Sequence, residues 1–184
     1  GQVGALVLEL FSDVAAVTSR NFVLHCAAAP GDGGFAGTPL HRVVKNGWLQ
    51  GGDVVSGSGA HSKSSLGEPL EHELLSIPHD RAGVLGMANT GRHTGGSQFY
   101  VTLGAMRTFD SKYVAFGRVI DGMDLLLSFV NSLPTTPTGA PVEPVIISSC
   151  GVLPAVDAAR ELPTLAAARM QAPRRAQLAQ QDAR

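Results

Sequence analysis

Short apolar runs separated by turn residues are the feature that most restricts the fold of this chain. Glycine, which tolerates the backbone angles of tight turns, occurs 22 times. Runs of about four to eight residues that are rich in β-branched and aromatic side chains predict strands. The predicted strands are residues 5–11, 40–44, 48–50, 84–88, 98–102, 113–120 and 145–149. This pattern predicts a mainly β fold, a closed antiparallel β-barrel.

Two helices are predicted to cover the ends of the barrel. The first spans about residues 14–28, with Ser12 or Asp13 as its candidate N-cap. The second spans residues 121–132, where apolar residues recur at helical spacing at Met123, Leu126, Leu127 and Val130. The predicted fold is therefore a β-barrel capped by two α-helices.

The bulk composition limits the functional classes. The chain has 184 residues and a formal net charge of −1, so nothing electrostatic indicates nucleic acid or a membrane surface as a partner. No apolar run approaches the roughly 20 residues of a membrane span. The six histidines lack the spacing of metal ligands, and no cofactor is expected. Cys26 and Cys150 are predicted to be reduced core thiols, which together with the absence of a visible signal peptide favours an intracellular protein.

The composition changes near residue 155. Residues 1–154 are predicted to form one domain, whereas residues 155–184 hold ten alanines, five arginines and three acidic residues. Alanine favours helices, but this segment lacks the apolar residues for a core of its own. Two interpretations stay open, a solvated tail and a segment that becomes helical against a partner protein.

The first of two informative segments is LHRVVKNGWLQGGD, residues 40–53. Arg42 and Gln50 lie on either side of Asn46-Gly47, and Asn-Gly accepts positive φ at both centres of a tight hairpin turn. A short hairpin therefore brings the guanidinium and the amide onto one wall of a groove.

The second segment is GMANTGRHTGGSQFYVT, residues 86–102. Gln98 and Tyr100 are two apart on a predicted strand and share a face, while Phe99 and Val101 point to the other face. The second segment thus predicts a second polar and aromatic wall.

Together the two segments resemble the active groove of the cyclophilins, a family of peptidyl-prolyl cis-trans isomerases. The resemblance keeps nearly constant spacing from about Leu6 to Leu153. It implies a cyclophilin-like barrel that isomerises X-Pro bonds in proline-containing peptide or protein segments, without a cofactor or metal. It also implies that Arg42 is catalytic and that the substrate is bound by Trp48, Gln50, Met87, Ala88, Asn89, Thr90, Gln98, Tyr100, Phe109 and Tyr113.

The sequence departs from the family pattern at the proline pocket. Gly47 stands where the family usually has a pocket Phe, and Trp48 is predicted to point to the opposite side of its strand. Tyr100 stands where Phe is usual, and a buried hydroxyl needs a partner. Thr108 replaces the Trp that helps bind the family's cyclic inhibitor. These departures predict a remodelled pocket with reduced activity. The sequence begins at the turn that usually follows the first strand of the family, so either further residues precede it or the barrel has a gap.

A narrower resemblance concerns motile cilia. The segment KNGWLQGGD, with GMANTGRH and KYVAF further along, is similar to cyclophilin-like proteins of motile cilia, including those of the radial spoke. This resemblance implies a location in the ciliary axoneme. It also implies protein subunits of that assembly as partners, contacted through residues 155–184.

Two functions remain in competition. Arg42, Gln50 and Gln98 favour an active prolyl isomerase. Gly47, Thr108 and the ciliary resemblance favour a weakly active or inactive module that binds proteins within an assembly. A hydrolase is disfavoured, because the serine motif GxSxG is absent.

Overall fold

The strands and helices follow the predicted order, most with shorter bounds, although the strand predicted at 48–50 extends to Gly51 and the one predicted at 113–120 extends to Asp121. A computed structural model describes residues 4–153, so the predictions for residues 155–184 lie outside the described residues. The strands are β1 (Val7–Leu10), β2 (Arg42–Val44), β3 (Trp48–Gly51), β4 (Val84–Met87), β5 (Phe99–Thr102) and β6 (Ala115–Asp121). The helices are α1 (Ala16–Ala27), α2 (Met123–Ser132) and a short 3-10 helix, Arg107–Phe109. All these elements lie in the compact unit that ends at Val152.

The six strands form one antiparallel sheet in the order β1-β6-β4-β5-β3-β2. Its edges, β1 and β2, do not pair with each other within residues 4–153, so closure into a barrel is not confirmed. The predicted strand at 145–149 is reduced to an isolated bridge between Pro39 and Ile146. Proline has no N–H to donate, and Pro39 and Pro144 restrict a longer ladder here.

Helix α1 begins without the local cap that the sequence predicts. Its N-cap is Ala15, with no side-chain hydrogen bond, so the assignment of Ser12 or Asp13 is wrong. Instead, the carboxylate of Glu73 accepts the backbone N–H groups of Val17 and Thr18 at 3.0 and 2.8 Å. A carboxylate is favourable there because the first N–H groups of a helix lack partners and carry the positive end of its dipole.

The core lies on one face of the sheet. Phe22 of α1 packs against Phe99 and Phe116, with ring centroids 5.2 and 5.3 Å apart. Helix α2 buries Leu126 and Val130 in the same cluster, which confirms the predicted apolar stripe. The face of the sheet opposite this core is called the outer face below.

Three further predictions concern a membrane span, a metal site and the two cysteines. No helix in residues 4–153 combines the length and apolarity needed to cross a membrane. The same residues contain no cluster of three or more His, Cys, Asp or Glu side chains suited to a metal ion. Both cysteines are free, but Cys26 is half-buried and Cys150 is exposed, so the prediction of a core thiol is wrong for Cys150.

Candidate functional site

A row of residues crosses four strands on the outer face. Arg42 on β2 lies opposite Gln50 on β3, Gln50 lies opposite Tyr100 on β5, and Tyr100 lies opposite Gly86 on β4. Directly opposed residues of antiparallel strands point to the same face. Phe99 instead belongs to the core cluster, which confirms the predicted alternation on β5. The sheet therefore brings the two predicted walls together in one row.

Trp48 lies on the outer face, so the prediction that it points away is wrong. It is two residues from Gln50, and residues two apart on a strand share a face. Its indole Nε1 donates to Oε1 of Gln50 at 3.2 Å. Its ring centroid lies 5.1 Å from that of Phe109 and 5.3 Å from Cζ of Arg42. Trp48 therefore supplies an aromatic wall from the position after Gly47.

The turn between β2 and β3 also differs from its prediction. Asn46 has a φ of 62°, whereas Gly47 is not among the residues of positive φ, so the expectation for both centres is wrong. The N–H of Gly47 donates to the carbonyl of Val44 at 2.8 Å and closes the turn. A Cβ at Gly47 would lie 3.0 Å from Cγ1 of Val44. A larger residue at position 47 is therefore limited by packing rather than by backbone strain.

The guanidinium of Arg42 is available to a ligand. The side chain is exposed, and within residues 4–153 it forms no ion pair with a carboxylate. It lies over the face of Trp48, where the ring quadrupole attracts a cation without using its N–H donors. Those donors remain free to point at a bound group.

The two predicted glutamines are held by one hydrogen-bonded chain. Nε2 of Gln50 donates to Oε1 of Gln98 at 2.8 Å. Nε2 of Gln98 donates to the carbonyls of Gly59 and His61 at 2.9 and 2.8 Å. An amide nitrogen has two N–H groups, so Gln50 keeps one donor for a peptide while both donors of Gln98 are used.

Asp53 organises the loop that holds Gln98. Its carboxylate, 1% exposed, accepts hydrogen bonds from the backbone and hydroxyl of Ser56 and from the backbone N–H groups of Gly59 and His61. Burial by itself raises the pKa of Asp53, but the hydrogen bonds outweigh burial and hold the pKa well below its usual range. The aspartate of the QGGD segment is therefore a structural anion that fixes the carbonyls around Gln98.

Asp53→Ala is expected to lower the free energy of unfolding at pH 7 by roughly 3 kcal/mol, because the variant removes the acceptor of several hydrogen bonds and leaves their N–H and hydroxyl donors without a partner. The folded-state pKa lies below the unfolded value of about 3.9, so this stabilisation is fully present above that value and is lost as the pH falls toward the folded pKa. Urea denaturation should show the gap between wild type and variant narrowing as the pH falls below about 4. The exposed Asp32→Ala is the control, and a gap that is independent of pH would contradict this role.

The hydroxyl of Tyr100 has a buried partner. Tyr100 and His79 are 2% and 0% exposed. The Tyr100 hydroxyl donates to Nε2 of His79 at 2.7 Å, and Nδ1 of His79 donates to Oδ1 of Asp110 at 3.1 Å. Burial lowers the pKa of His79, although Asp110 opposes this, and burial raises the pKa of Tyr100. A neutral imidazole that donates through Nδ1 and accepts at Nε2 fits both partners.

Gly86 provides the space for Tyr100. A Cβ at position 86 would lie 2.2 Å from both Cζ and the hydroxyl oxygen of Tyr100. Phe109 and Tyr113 pack edge-to-face with the Tyr100 ring, with centroids 5.2 and 5.8 Å away. Tyr100 is thus a buried floor, and the half-buried rings of Trp48, Phe109 and Tyr113 form an aromatic surface above it.

The other predicted site residues occupy different environments. Met87 is 3% exposed and belongs to the core, so its side chain does not line the groove. Ala88 is half-buried, and its N–H donates to the carbonyl of Gln98 at 3.0 Å. Asn89 is half-buried at the edge of the aromatic surface, and Thr90 is exposed beside it.

Three residues that shape the site, Gly86, His79 and Asp110, are not indicated as site residues by the sequence. The only signal in the sequence is the predicted need of the Tyr100 hydroxyl for a partner. His79 is 21 residues away in the chain, and no local pattern links the two. The sequence pattern predicts Gly86 only as part of a strand, because its role depends on the ring opposite it.

Known proteins are similar in sequence to most of this chain. The family model described as "Cyclophilin type peptidyl-prolyl cis-trans isomerase/CLD" matches residues 1–152. A Bos taurus protein named "Probable inactive peptidyl-prolyl cis-trans isomerase-like 6" is 44% identical over 157 residues, which cover 82% of this chain and 50% of that protein. "Peptidyl-prolyl cis-trans isomerase B" of Saccharomyces cerevisiae is 37% identical over 151 residues, 82% of this chain and 73% of that protein.

A third relative is the "Peptidyl-prolyl cis-trans isomerase, rhodopsin-specific isozyme" of Calliphora vicina. It is 38% identical over 152 residues, 83% of this chain and 64% of that protein. The chain spans about half the length of the Bos taurus relative.

Proposed function

Because this chain belongs to the cyclophilin family, we propose that its groove binds X-Pro segments of proteins and isomerises them slowly. The observation that carries the proposal is the position of Arg42. Its guanidinium is exposed, lacks a carboxylate partner within residues 4–153, and lies over Trp48 beside Gln50. A donor next to an aromatic surface suits a proline ring and the nitrogen it carries.

Isomerisation of an X-Pro bond requires the groove only to lower the barrier to rotation about that bond. The barrier to rotation about a peptide bond is about 18–20 kcal/mol, because the nitrogen lone pair is delocalised into the carbonyl. A hydrogen bond from Arg42 to the prolyl nitrogen draws that lone pair out of conjugation and stabilises the twisted state more than the planar one. The free N–H of Gln50 holds a flanking carbonyl while the bond turns. No bond to the protein forms or breaks.

The slow rate follows from the aromatic surface. Trp48 and Phe109 are in contact, with ring centroids 5.1 Å apart, which leaves no room for a proline ring between them. A proline therefore lies on the aromatic surface instead of being enclosed, and less of its binding energy is directed to the twisted state. The contact also favours the second candidate, a binding module without turnover. The names of the relatives point both ways, with the Bos taurus protein called probable inactive and the yeast protein called an isomerase.

Exchange NMR on an Ala-Pro tetrapeptide tests the proposal. Unaided isomerisation takes tens to hundreds of seconds, so cross-peaks between cis and trans signals at sub-second mixing times require a catalyst. We expect such cross-peaks at high protein concentration, with a kcat/KM well below that of the yeast isomerase measured in parallel. Chemical shift changes should centre on the Trp48 indole N–H.

The outcomes separate the two candidates. Binding without exchange leaves the binding module as the function and removes the isomerase. Turnover equal to that of the yeast protein contradicts the account of the aromatic surface. A peptide that neither binds nor exchanges removes both candidates.

We further propose that this domain acts in the motile cilium, through contacts of residues 155–184 with a radial-spoke subunit. The support is the resemblance of the segments KNGWLQGGD and GMANTGRH to ciliary members of the family. Expression of the tagged chain in ciliated cells, with and without residues 155–184, tests both parts. Axonemal signal that is lost on truncation supports both parts of the proposal. If the full chain gives no axonemal signal, the ciliary location is wrong. If the truncated chain gives the same signal as the full chain, the contact through residues 155–184 is wrong.

A further inference from the structure

A cavity opens at the end of the aromatic surface and is called the side cavity. Its volume is about 660 Å³, and its lining includes His72, Asn89, Arg92, Lys112 and Tyr113. Tyr113 belongs to the aromatic surface as well, so the side cavity is continuous with the groove. Its residues come from three parts of the chain that meet only in the folded protein.

Asn89 joins the side cavity to the groove. Its Nδ2 donates to Nε2 of His72 at 3.3 Å and lies 3.5 Å from the carbonyl oxygen of Lys112. Its Oδ1 accepts the N–H of Gly91 at 3.2 Å. The amide thus ties His72 on one side of the side cavity to Lys112 on the other.

The charged residues that line the side cavity are all basic. His72, Arg92 and Lys112 are its ionisable basic residues, and no Asp or Glu lines it. Within residues 4–153, neither Arg92 nor Lys112 forms an ion pair with a carboxylate. Burial lowers the pKa of His72, and the neighbouring His93 and Arg92 lower it further, as a positive local potential does. Positive charge in a concave site attracts anions.

We infer that the side cavity is a subsite for an anionic side chain within about two residues of the proline in a bound segment. Arg92 and Lys112 pair with its oxygens, and Oδ1 of Asn89 accepts an N–H of the adjoining backbone with its second lone pair. The inference rests on the proposed binding of X-Pro segments in the groove. According to this inference, the groove prefers protein segments in which the proline has an acidic or phosphorylated neighbour over other segments with an exposed proline.

The chemistry of such a ligand has two sources, the carboxylate of Asp or Glu and the phosphate of a phosphorylated Ser. Both offer oxygens that accept charge-assisted hydrogen bonds from Arg and Lys. A phosphate carries about −1.5 to −2 charges at neutral pH. A phosphorylated side chain therefore increases the binding affinity more than a carboxylate does if both Arg92 and Lys112 contact it.

Fluorescence anisotropy with labelled peptides tests the inference. The peptides differ at one position, one or two residues before or after the proline, and carry Gln, Glu, Ser or phosphoserine. We expect a Glu peptide to bind roughly three- to tenfold more tightly than its Gln partner, as two partly exposed charge pairs allow. The gain should shrink in about 0.5 M salt, where charges are screened over a few ångströms.

Two variants locate the effect. Lys112→Gln and Arg92→Gln should each reduce the preference for Glu over Gln while leaving the affinity of the Gln peptide unchanged. Arg20→Gln is the matched control, because this exposed residue of α1 loses the same charge away from the side cavity. A larger gain for phosphoserine over Ser than for Glu over Gln identifies phosphate as the preferred source, and the reverse identifies the carboxylate.

Equal binding of the Glu and Gln peptides, together with equal binding of the phosphoserine and Ser peptides, overturns the inference and leaves the proposed function intact. A preference for the anionic peptides that is unchanged in both Lys112→Gln and Arg92→Gln overturns the inference as well, because the negative charge must then be bound outside the side cavity. Failure of every peptide to bind overturns the proposed function and this inference with it.

Discussion

Arg42→Ala is expected to lower kcat/KM for isomerisation of an Ala-Pro peptide by roughly 10- to 100-fold, the effect of one charge-assisted hydrogen bond. The loss should appear mainly in kcat, because the bond to the prolyl nitrogen is strongest in the twisted state. The side chain is exposed, so the variant should unfold at the temperature of the wild type. The measurement is exchange NMR at saturating and at low peptide concentration.

Two further substitutions sharpen this test. Arg42→Lys keeps the charge but loses the planar set of donors, so an intermediate loss is expected. Arg118→Ala is the matched control, since it removes an exposed arginine whose partner is Glu9 on β1. Activity unchanged in Arg42→Ala would assign any turnover to the aromatic surface alone. An equal loss in both alanine variants would indicate a general effect of net charge.

Gly86→Ala is expected to destabilise the fold by roughly 1–3 kcal/mol, the usual cost of an added methyl group in a packed site. The new Cβ would lie 2.2 Å from Tyr100, a separation that real contacts do not reach, so the ring must move. Outward movement breaks its hydrogen bond to His79 and places the ring in the groove. Thermal and urea denaturation measure the loss. Gly151→Ala is the control, because nothing lies within 4 Å of its Cβ position.

A double-mutant cycle with Tyr100→Phe separates the cost of moving the Tyr100 ring from the cost of breaking its hydrogen bond to His79. Tyr100→Phe alone leaves Nε2 of the buried His79 unpaired, which costs about 1–3 kcal/mol. In that background Gly86→Ala should cost less than in the wild type, since the ring can move without breaking a hydrogen bond. Purely additive losses would mean that Tyr100 keeps its hydrogen bond and that the strain is absorbed by β4 instead.

The sequence by itself determined the local features of this protein. Alternation along 98–102 placed Phe99 in the core and Tyr100 on the outer face, and helical spacing placed Leu126 and Val130 in the core. The hairpin around Asn46 brought Arg42 opposite Gln50 as expected. These predictions succeed because the direction of a side chain on a strand or helix depends on its position in a short repeat.

Errors in the local predictions also have physical reasons. Trp48 is predicted to point away because it is the neighbour of Gly47, but Gly47 belongs to the turn, and the alternation that starts at Trp48 places it on the face of Gln50. The strand at 145–149 survives only as a bridge, because prolines limit the ladder. The resemblance implies that Met87 binds the substrate, but its side chain lies in the core, because the neighbouring Gly86 occupies the outer face.

Only the tertiary structure decided the contacts between distant residues. Glu73 caps α1 across 56 and 55 residues, and His79 reaches the Tyr100 hydroxyl across 21. The loop around Asp53 fixes Gln98 in the same way, across up to 39 residues. A buried polar group can be satisfied by any donor or acceptor that the fold brings near it. The sequence therefore predicts that such a group needs a partner, and the packing of the sheet determines which residue becomes that partner.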